Sequence, residues 1–330
     1  MEFNTAIIGT GIGMKHFIAI NSYKNSRVTV IYEKNSNKLQ KLKKKFPKII
    51  FAKNENEIFE NKNINVVSIA SYDDDHYRQI IKGIKNNKHL IIEKPICLTF
   101  EQLKSIKKLL DKSKVQITSN LVLRVNSLFK NIHKILKNDK IFYLELDYIW
   151  GRRDKFSGWR SQIKDYSFTL GAAVHVFDLL LWFVGKKPIS VIAIGNDIIT
   201  KNTSFKKKSF IVYILKFHNG LIAKISANGC AIYNHLHEVK IFQKNKTIIN
   251  DINGAKIIFK KNKKIFTKKM NFSYPDKQNR KNLIIDFLDS LSKKKYNHIV
   301  SKNDIFDAMS ICFAADKSLK KNKEIIIKYL

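Results

Sequence analysis

A short apolar run, Ala6-Ile7-Ile8, breaks directly into Gly9-Thr10-Gly11-Ile12-Gly13, and Phe17, Ile18 and Ile20 then begin a helical pattern. A buried strand that turns on glycine straight into a helix leaves few folds open. Gly9 meets the need for a tight turn, and Gly11 the need for bare backbone where a pyrophosphate would approach the helix N-terminus. The third small residue comes one place early, at Gly13, with Met14 in the usual slot. A second strand, Val28–Tyr32, ends at Glu33, about twenty residues past the glycines, where an acid would accept hydrogen bonds from ribose hydroxyls and repel a 2'-phosphate. That position favours NAD over NADP.

The same alternation continues. Lys38–Phe46 reads as a helix, Ile49–Phe51 and Ile64–Ala70 as strands, His76–Asn86 and Thr99–Lys112 as helices, and Val115–Thr118 as a strand. Strand and helix at this spacing predict a doubly wound parallel α/β sheet, with a first domain over residues 1–121. Ser71-Tyr72-Asp73-Asp74-Asp75-His76 follows one of these strands. Adjacent acids point in different directions and make a poor cation site, so Asp and Ser are expected to cap the next helix.

Leu90-Ile91-Ile92 runs straight into Glu93-Lys94-Pro95. Ligands of an open parallel sheet sit beyond the carboxyl ends of its strands, so the charges here are read as chemical and Lys94 as the first catalytic candidate. The proline ends ladder pairing; the Lys94-Pro95 isomer is not fixed by sequence.

Beyond Ser127–Leu136, a helix, the pattern changes to long alternating strands at Phe142–Tyr148, Ser190–Ile194, Ser209–Phe217, Leu221–Ala227 and Val239–Phe242. Alternation with polar turns such as His218-Asn219-Gly220 predicts a second, α+β domain over 122–330, built on a large, mostly antiparallel open sheet. A helix on Val174–Val184 and a last one over Asp304–Leu319 complete it.

Composition narrows the partners. The net charge of +35 is nearly all lysine, spread along the chain, with only seven arginines. Phosphate and base readers favour arginine's bidentate fork, so solvated lysine faces are the better reading and no specific nucleic acid is expected. The apolar run Val176–Val184 is interrupted by Asp178 and too short to span a bilayer, and no leader pattern opens the chain, so a cytoplasmic protein without a membrane partner is expected. Cys97, Cys230 and Cys312 form no CxxC pair, which argues against disulfides and zinc and for buried thiols. His235 and His237 alternate on a strand but lack a third ligand, so they are read as substrate-facing or structural histidines and no metal is expected there either.

His175 and Asp178 stand three apart and share one helix face. A lone histidine in so apolar a helix is more often core. With an acid one turn on, a polar Trp159-Arg160 loop upstream and a dinucleotide loop in the same chain, it is better explained as a base.

With Ile8-Gly9-Thr10-Gly11-Ile12-Gly13 and His16, Ile69-Ala70-Ser71 and His76, Glu93-Lys94-Pro95, Trp159-Arg160 and Gly171-Ala172-Ala173-Val174-His175-Val176-Phe177-Asp178 in order, the chain resembles the glucose-fructose oxidoreductase, inositol dehydrogenase and rhizopine-catabolism (Gfo/Idh/MocA) family over essentially its whole length. The run from Tyr166 to Gly171 is similar to a branch met in bacterial surface-sugar pathways. The resemblance implies an N-terminal Rossmann domain and NAD(P)-linked oxidation or reduction of a sugar, cyclitol or nucleotide-sugar hydroxyl, by a homodimer or homotetramer formed through the C-terminal sheet. It implies that Lys94 hydrogen-bonds the reacting oxygen and His175 exchanges its proton. Gly9, Thr10, Gly11, Ile12 and Gly13 would receive the pyrophosphate, Glu33 the ribose, Ser71, His76 and Glu93 other parts of the cofactor, and Arg160 the nicotinamide side. Asp178, Arg124 and Tyr166 would meet the substrate. One position departs: the family usually has an aspartate or asparagine four residues before the histidine, and here stands Gly171, with Asp165 and Tyr166 as upstream candidates for its space. That departure keeps open the alternative of a non-catalytic, dinucleotide-binding sensor.

Overall fold

The glycine loop does what its neighbours demand: β1 (Phe3–Ile8) enters it and α1 (Gly13–Asn21) leaves it. The computed structural model describes residues 2–136, 139–272, 274 and 279–330. After α1 come β2 (Ser26–Tyr32), α2 (Ser36–Lys45), β3 (Ile50–Phe51), α3 (Asn56–Phe59), β4 (Val66–Ile69), α4 (His76–Lys85), β5 (His89–Ile92), α5 (Phe100–Leu110) and β6 (Ile117–Ser119). The strands pair in the order β3-β2-β1-β4-β5-β6, all parallel, so the order reverses between β1 and β4. Every residue of β4 is buried, as a parallel strand covered on both faces requires. The start of α5 is fixed by a capping box between Thr99 and Gln102.

The capping expected at the start of α4 does not come from Asp75. Asp75 takes the N-cap position without capping. Its carboxylate instead pairs with Lys34 at 2.6 Å and Arg78 at 2.9 Å, since a full charge on two cations outweighs one amide bond. The Lys94-Pro95 bond is cis.

The second half carries α6 (Ser127–Leu136), β7 (Ile141–Ile149), α7 (Trp159–Gln162), α8 (Val174–Val184), β8 (Ser190–Asn196), β9 (Phe210–Lys216), β10 (Ile222–Asn228), β11 (Leu236–Gln243), β12 (Lys246–Asp251), β13 (Gly254–Lys261) and β14 (Lys264–Met270). The helices α9 (Asn279–Ser292) and α10 (Lys302–Lys321) and the short β15 (Ile325–Ile326) end the chain. Nine strands pair in the order β14-β13-β12-β11-β7-β10-β9-β8-β15; β7 and β10 run parallel and the other pairs antiparallel. Burial alternates along β7, β9 and β11, the signature of a sheet covered on one face.

Two structural units result, Met1–Val125 with Lys277–Ile305, and Asn126–Asp276 with Phe306–Leu330. The first unit therefore reclaims α9, a helix that the sequence reading did not single out. Ile284, Phe287, Leu288 and Leu291 of α9 join Ile7, Ile20, Ile31 and Ile91 in one buried cluster. Each such side chain contributes about 1.5–3 kcal/mol on burial. Among the described residues, no helix is long and apolar enough to cross a membrane. Cys97 and Cys312 are buried and Cys230 is half-buried, and all three are free thiols.

Candidate active site

In the first unit the site starts with the loop backbone. Gly9 has φ +85°, and a Cβ there would lie 2.5 Å from the Ala70 carbonyl oxygen of β4's end, so the turn admits only glycine. A Cβ on Gly13 would sit 3.0 Å from Ile7 Cγ2, which is why α1 can lie close on β1. Gly11 is different: a Cβ there meets no protein atom within 4 Å. Bare backbone facing open space ahead of a helix N-terminus fits a pyrophosphate.

Glu33, at the end of β2, closes the same loop. It accepts hydrogen bonds from the Thr10 amide at 3.0 Å, from the Thr10 hydroxyl, and from the Asn35 amide at 2.8 Å. Burial alone would raise its pKa; the Thr10 and Asn35 hydrogen bonds and Lys38 outweigh it and hold the carboxyl below its ordinary value. Thr10 is buried and Ile12 exposed.

Beyond β4 and β5, His76 is fully buried and bridges two loops, its Nδ1 2.7 Å from the Pro95 carbonyl and its Nε2 3.3 Å from that of Ser71. Ser71 donates to Gln79 at 2.7 Å. Lys94 is half-buried next to them. Glu93, expected to touch the cofactor, turns inward. Its Oε1 accepts from Asn120 at 2.6 Å and lies 3.1 Å from His16 Nε2 and 3.3 Å from Arg280 Nε. His16 is in turn 2.7 Å from Ser68 Oγ. Burial would raise the Glu93 pKa, but His16, Arg280 and Lys94 hold it far below the carboxylate range. A charge so buried must be matched, and its donors claim it.

Arg124 is held within the first unit. Expected at the substrate, it is buried, with Nη1 2.9 Å from Asp304 Oδ1. It braces the first unit internally.

In the second unit, α8 carries His175, which is 8% exposed, and Asp178, which is fully buried. A widened π-helical turn, Thr169–Ala173, leads into α8. Ser167 donates to Asp316 at 2.6 Å and receives the Leu170 amide at 3.1 Å, while Thr169 and Tyr213 share a bond of 3.0 Å. Of the two upstream candidates for the space at residue 171, Asp165 is exposed and Tyr166 is buried. A Cβ on Gly171 would lie 1.9 Å from the Tyr166 hydroxyl oxygen, so the phenol fills that space. Arg160 lies over Trp159 at 4.2 Å and Trp150 at 5.6 Å, a guanidinium held by two indoles.

Several neighbours were missed. Tyr148 lies parallel to the His175 ring at 6.1 Å and meets His235 and His237 at 5.3 and 4.9 Å. His237 Nδ1 bonds the Tyr274 hydroxyl. Burial, aided by His235, drives the His237 pKa well below its ordinary value. Tyr148 continues the inward stripe of Leu144 and Leu146, so its alternation reads as core and gives no sign of a site. Asn120 directly follows the buried end of β6, at the carboxyl end of a parallel strand, and that position was the one available signal. Among the described residues, no group of three or more His, Cys, Asp or Glu is placed to hold a metal ion.

Residues 3–121 match the family model described as the oxidoreductase family with an NAD-binding Rossmann fold, and residues 139–249 match the GFO/IDH/MocA C-terminal domain. Among curated proteins, an uncharacterized oxidoreductase of Synechocystis is 28% identical over 192 residues, covering 56% of this chain and 52% of that protein. The chain thus spans about half the length of this relative. Among solved structures, a myo-inositol 2-dehydrogenase from Lactobacillus plantarum superimposes with a TM-score of 0.85 at 19% identity, over 99% of this chain and 100% of the other. A UDP-N-acetylglucosamine 3-dehydrogenase from Acidithiobacillus ferrooxidans gives 0.81 at 16%, over 97% and 99%.

Proposed function

The chain belongs to the Gfo/Idh/MocA oxidoreductase family, and from that membership we propose that it moves hydride between a nicotinamide dinucleotide and a secondary hydroxyl or ketone of a sugar, cyclitol or nucleotide sugar. The observation that carries this reading is the end of β5. Lys94 stands at the carboxyl end of a parallel strand, backed by a Glu93 fixed on His16, Asn120 and Arg280, in the unit whose Gly11 backbone lies open. The activities of the inositol and nucleotide-sugar dehydrogenases that share the fold agree with it.

Gly9, Thr10, Gly11, Ile12 and Gly13 hold the pyrophosphate and Glu33 the adenosine ribose, which favours NAD over NADP because an ionised carboxylate repels a 2'-phosphate. When bound, the nicotinamide supplies the hydride acceptor or donor. His175 takes the hydroxyl proton in oxidation and returns it in reduction. Lys94 donates a hydrogen bond to a reacting oxygen as negative charge builds on it. Asp178, one turn on, orients the base, Tyr166 meets the substrate, and Arg160 flanks the nicotinamide. The uncovered face of the nine-stranded sheet serves as the contact between copies in a dimer or tetramer.

His175→Ala and Lys94→Ala tested with NAD and a panel of cyclitols and nucleotide sugars should each lose about a hundredfold to ten-thousandfold in kcat. Calorimetry should find NAD binding intact. A variant that kept wild-type kcat on the best substrate would remove that residue from the reaction.

A further inference from the structure

We propose that the Tyr166 hydroxyl is the substrate-orienting group on the His175 face of α8, that it reaches this face only because residue 171 is glycine, and that Lys207 is its positioning residue. Gly171 sits in the π-helical turn that runs without a break into α8, about one turn before His175, and in either kind of helix residues four apart fall near one face, so the space above Gly171 adjoins that of His175. A Cβ at 171 would lie 1.9 Å from the Tyr166 hydroxyl oxygen and 2.6 Å from its Cζ. No rotation of a side chain at 171 relieves that overlap, because the Cβ itself is the obstacle.

The phenol is held there from three sides. Its ring meets Phe205 edge-on at 5.8 Å and Trp159 at 6.3 Å. Lys207 spans the loop beneath it, its Nζ donating to the carbonyls of Ile163 at 2.6 Å, Lys164 at 2.9 Å and Tyr166 itself at 2.8 Å. Three carbonyls on one ammonium fix the backbone that aims the tyrosine, and the same Nζ lies 5.9 Å above its ring. Burial lowers the Lys207 pKa, opposed by Asp165. An ammonium spent on three main-chain oxygens inside a loop is a clamp. It leaves the loop little freedom to withdraw the phenol.

A phenol both donates and accepts and carries no charge at neutral pH. It suits a ring hydroxyl beside the reacting carbinol of a polyol or glycosyl ring. The inference rests on the hydride-transfer reading, and it assigns the group that sets which neighbouring hydroxyl is recognised.

The test uses the whole protein with NAD, and myo-inositol and UDP-N-acetylglucosamine as probes. Tyr166→Phe should lower kcat/KM on the better probe about tenfold to a hundredfold, the loss of one buried hydrogen bond, with the dissociation constant for NAD within twofold of wild type. Lys207→Met should lower kcat/KM mainly through KM, and Lys207→Arg should restore part of it. Gly171→Ala should lower the melting temperature in the wild type but not in a Tyr166→Ala background, where the space is vacant. Equal cost of Gly171→Ala in both backgrounds, or full kcat/KM in Tyr166→Phe, overturns the inference while leaving hydride transfer standing. A wild type that turns over neither these probes nor the wider panel, with the melting coupling intact, overturns the hydride-transfer reading and the orienting role with it.

Discussion

Gly9 and Gly11 sit two residues apart in one loop, yet the structure separates what an added methyl does at each. At Gly9 the backbone has φ +85°, and the Cβ would stand 2.5 Å from the Ala70 carbonyl oxygen. The left-handed conformation alone costs a residue with a Cβ about 1–2 kcal/mol, and the collision adds to it. A total of about 3 kcal/mol lowers the melting temperature by roughly 6–12 °C for a unit of this size. At Gly11 the methyl meets nothing within 4 Å, so Gly11→Ala should melt like the wild type. If a pyrophosphate lies on that backbone, however, the methyl displaces it. Losing one charge-assisted amide contact at about 1.5–3 kcal/mol raises the dissociation constant for NAD about tenfold to a hundredfold. Calorimetric titration with NAD gives the constant. Melting with and without NAD gives the rest, because a ligand at a hundred times its dissociation constant adds about 2.7 kcal/mol to the folded state. Gly11→Ala that binds NAD as the wild type does would refute the placement of the pyrophosphate, and Gly11→Ala that melts as low as Gly9→Ala would refute the open space.

Removing Glu33 should blunt cofactor choice: Glu33→Ala weakens NAD and narrows the gap to NADP, checked by the two dissociation constants, and an unchanged preference counts against the ribose role. The stability Glu33 contributes is present above its ordinary carboxyl range and is lost as pH falls through its depressed folded-state value, since the folded protein binds that proton less readily than the unfolded chain. Asp316 behaves oppositely. Burial pushes its pKa from 3.8 up to about 6 against the Ser167 and Thr169 hydrogen bonds, so its contribution is complete below pH 3.8 and is lost as pH rises through about 6. Asp316→Asn should remove about 2–3 kcal/mol of that pH dependence between pH 4 and 7, read by denaturant melts; an unchanged profile would mean the carboxyl is solvated. Phe287→Ala in α9 should cost about 3–5 kcal/mol and melt the first unit, because it opens a cavity in that unit's core. A loss under 1 kcal/mol would show α9 to be dispensable there.

The parallel sheet was legible because its signals are local: a strand, a glycine turn and a helix all lie within Ala6–Ile20. The same holds for α8, whose apolar run over Val174–Val184 marks the helix, while the π-helical turn ahead of it went unread. What escaped depends on contacts distant in sequence. α9 packs against α1 from more than two hundred and fifty residues away, and nothing in its own pattern names that partner. The strand β14 is exposed from Lys264 to Lys269, so it lacks the alternation that marks a half-covered strand. Arg124 and Glu93 show the limit at the level of side chains. Each stands beside a motif and carries charge, which suggests ligand binding. Yet Asp304 lies 180 positions beyond Arg124, and Arg280 187 beyond Glu93, and no local pattern announces either pair. Tyr166 could be named as a candidate only because Gly171 left a space to fill.

The two units also differ in how they treat ionisable groups, and the difference bears on the chemistry. In the first unit, Glu33 and Glu93 are kept charged: each has enough donors around it to overcome burial. Fixed charge of known position is what selects a cofactor and backs a lysine. In the second unit the chain of rings that runs from His175 through Tyr148 to His237 and Tyr274 is pushed toward neutrality. Burial raises the Tyr148 and Tyr274 phenols and lowers the His237 imidazole. An uncharged polyol gains little from a charged wall, while a base that must gain and lose a proton each turnover is served by neighbours that do not titrate with it. If His175 is that base, the pH dependence of kcat should reduce to one dominant ionisation. Its modifier would be Asp316, which meets Ser167 and Thr169 at the turn leading into α8 and has its pKa raised to about 6. In Asp316→Asn a single ionisation should remain, and Tyr148→Phe should leave its midpoint where it was; a second surviving ionisation would place another titrating group beside the base.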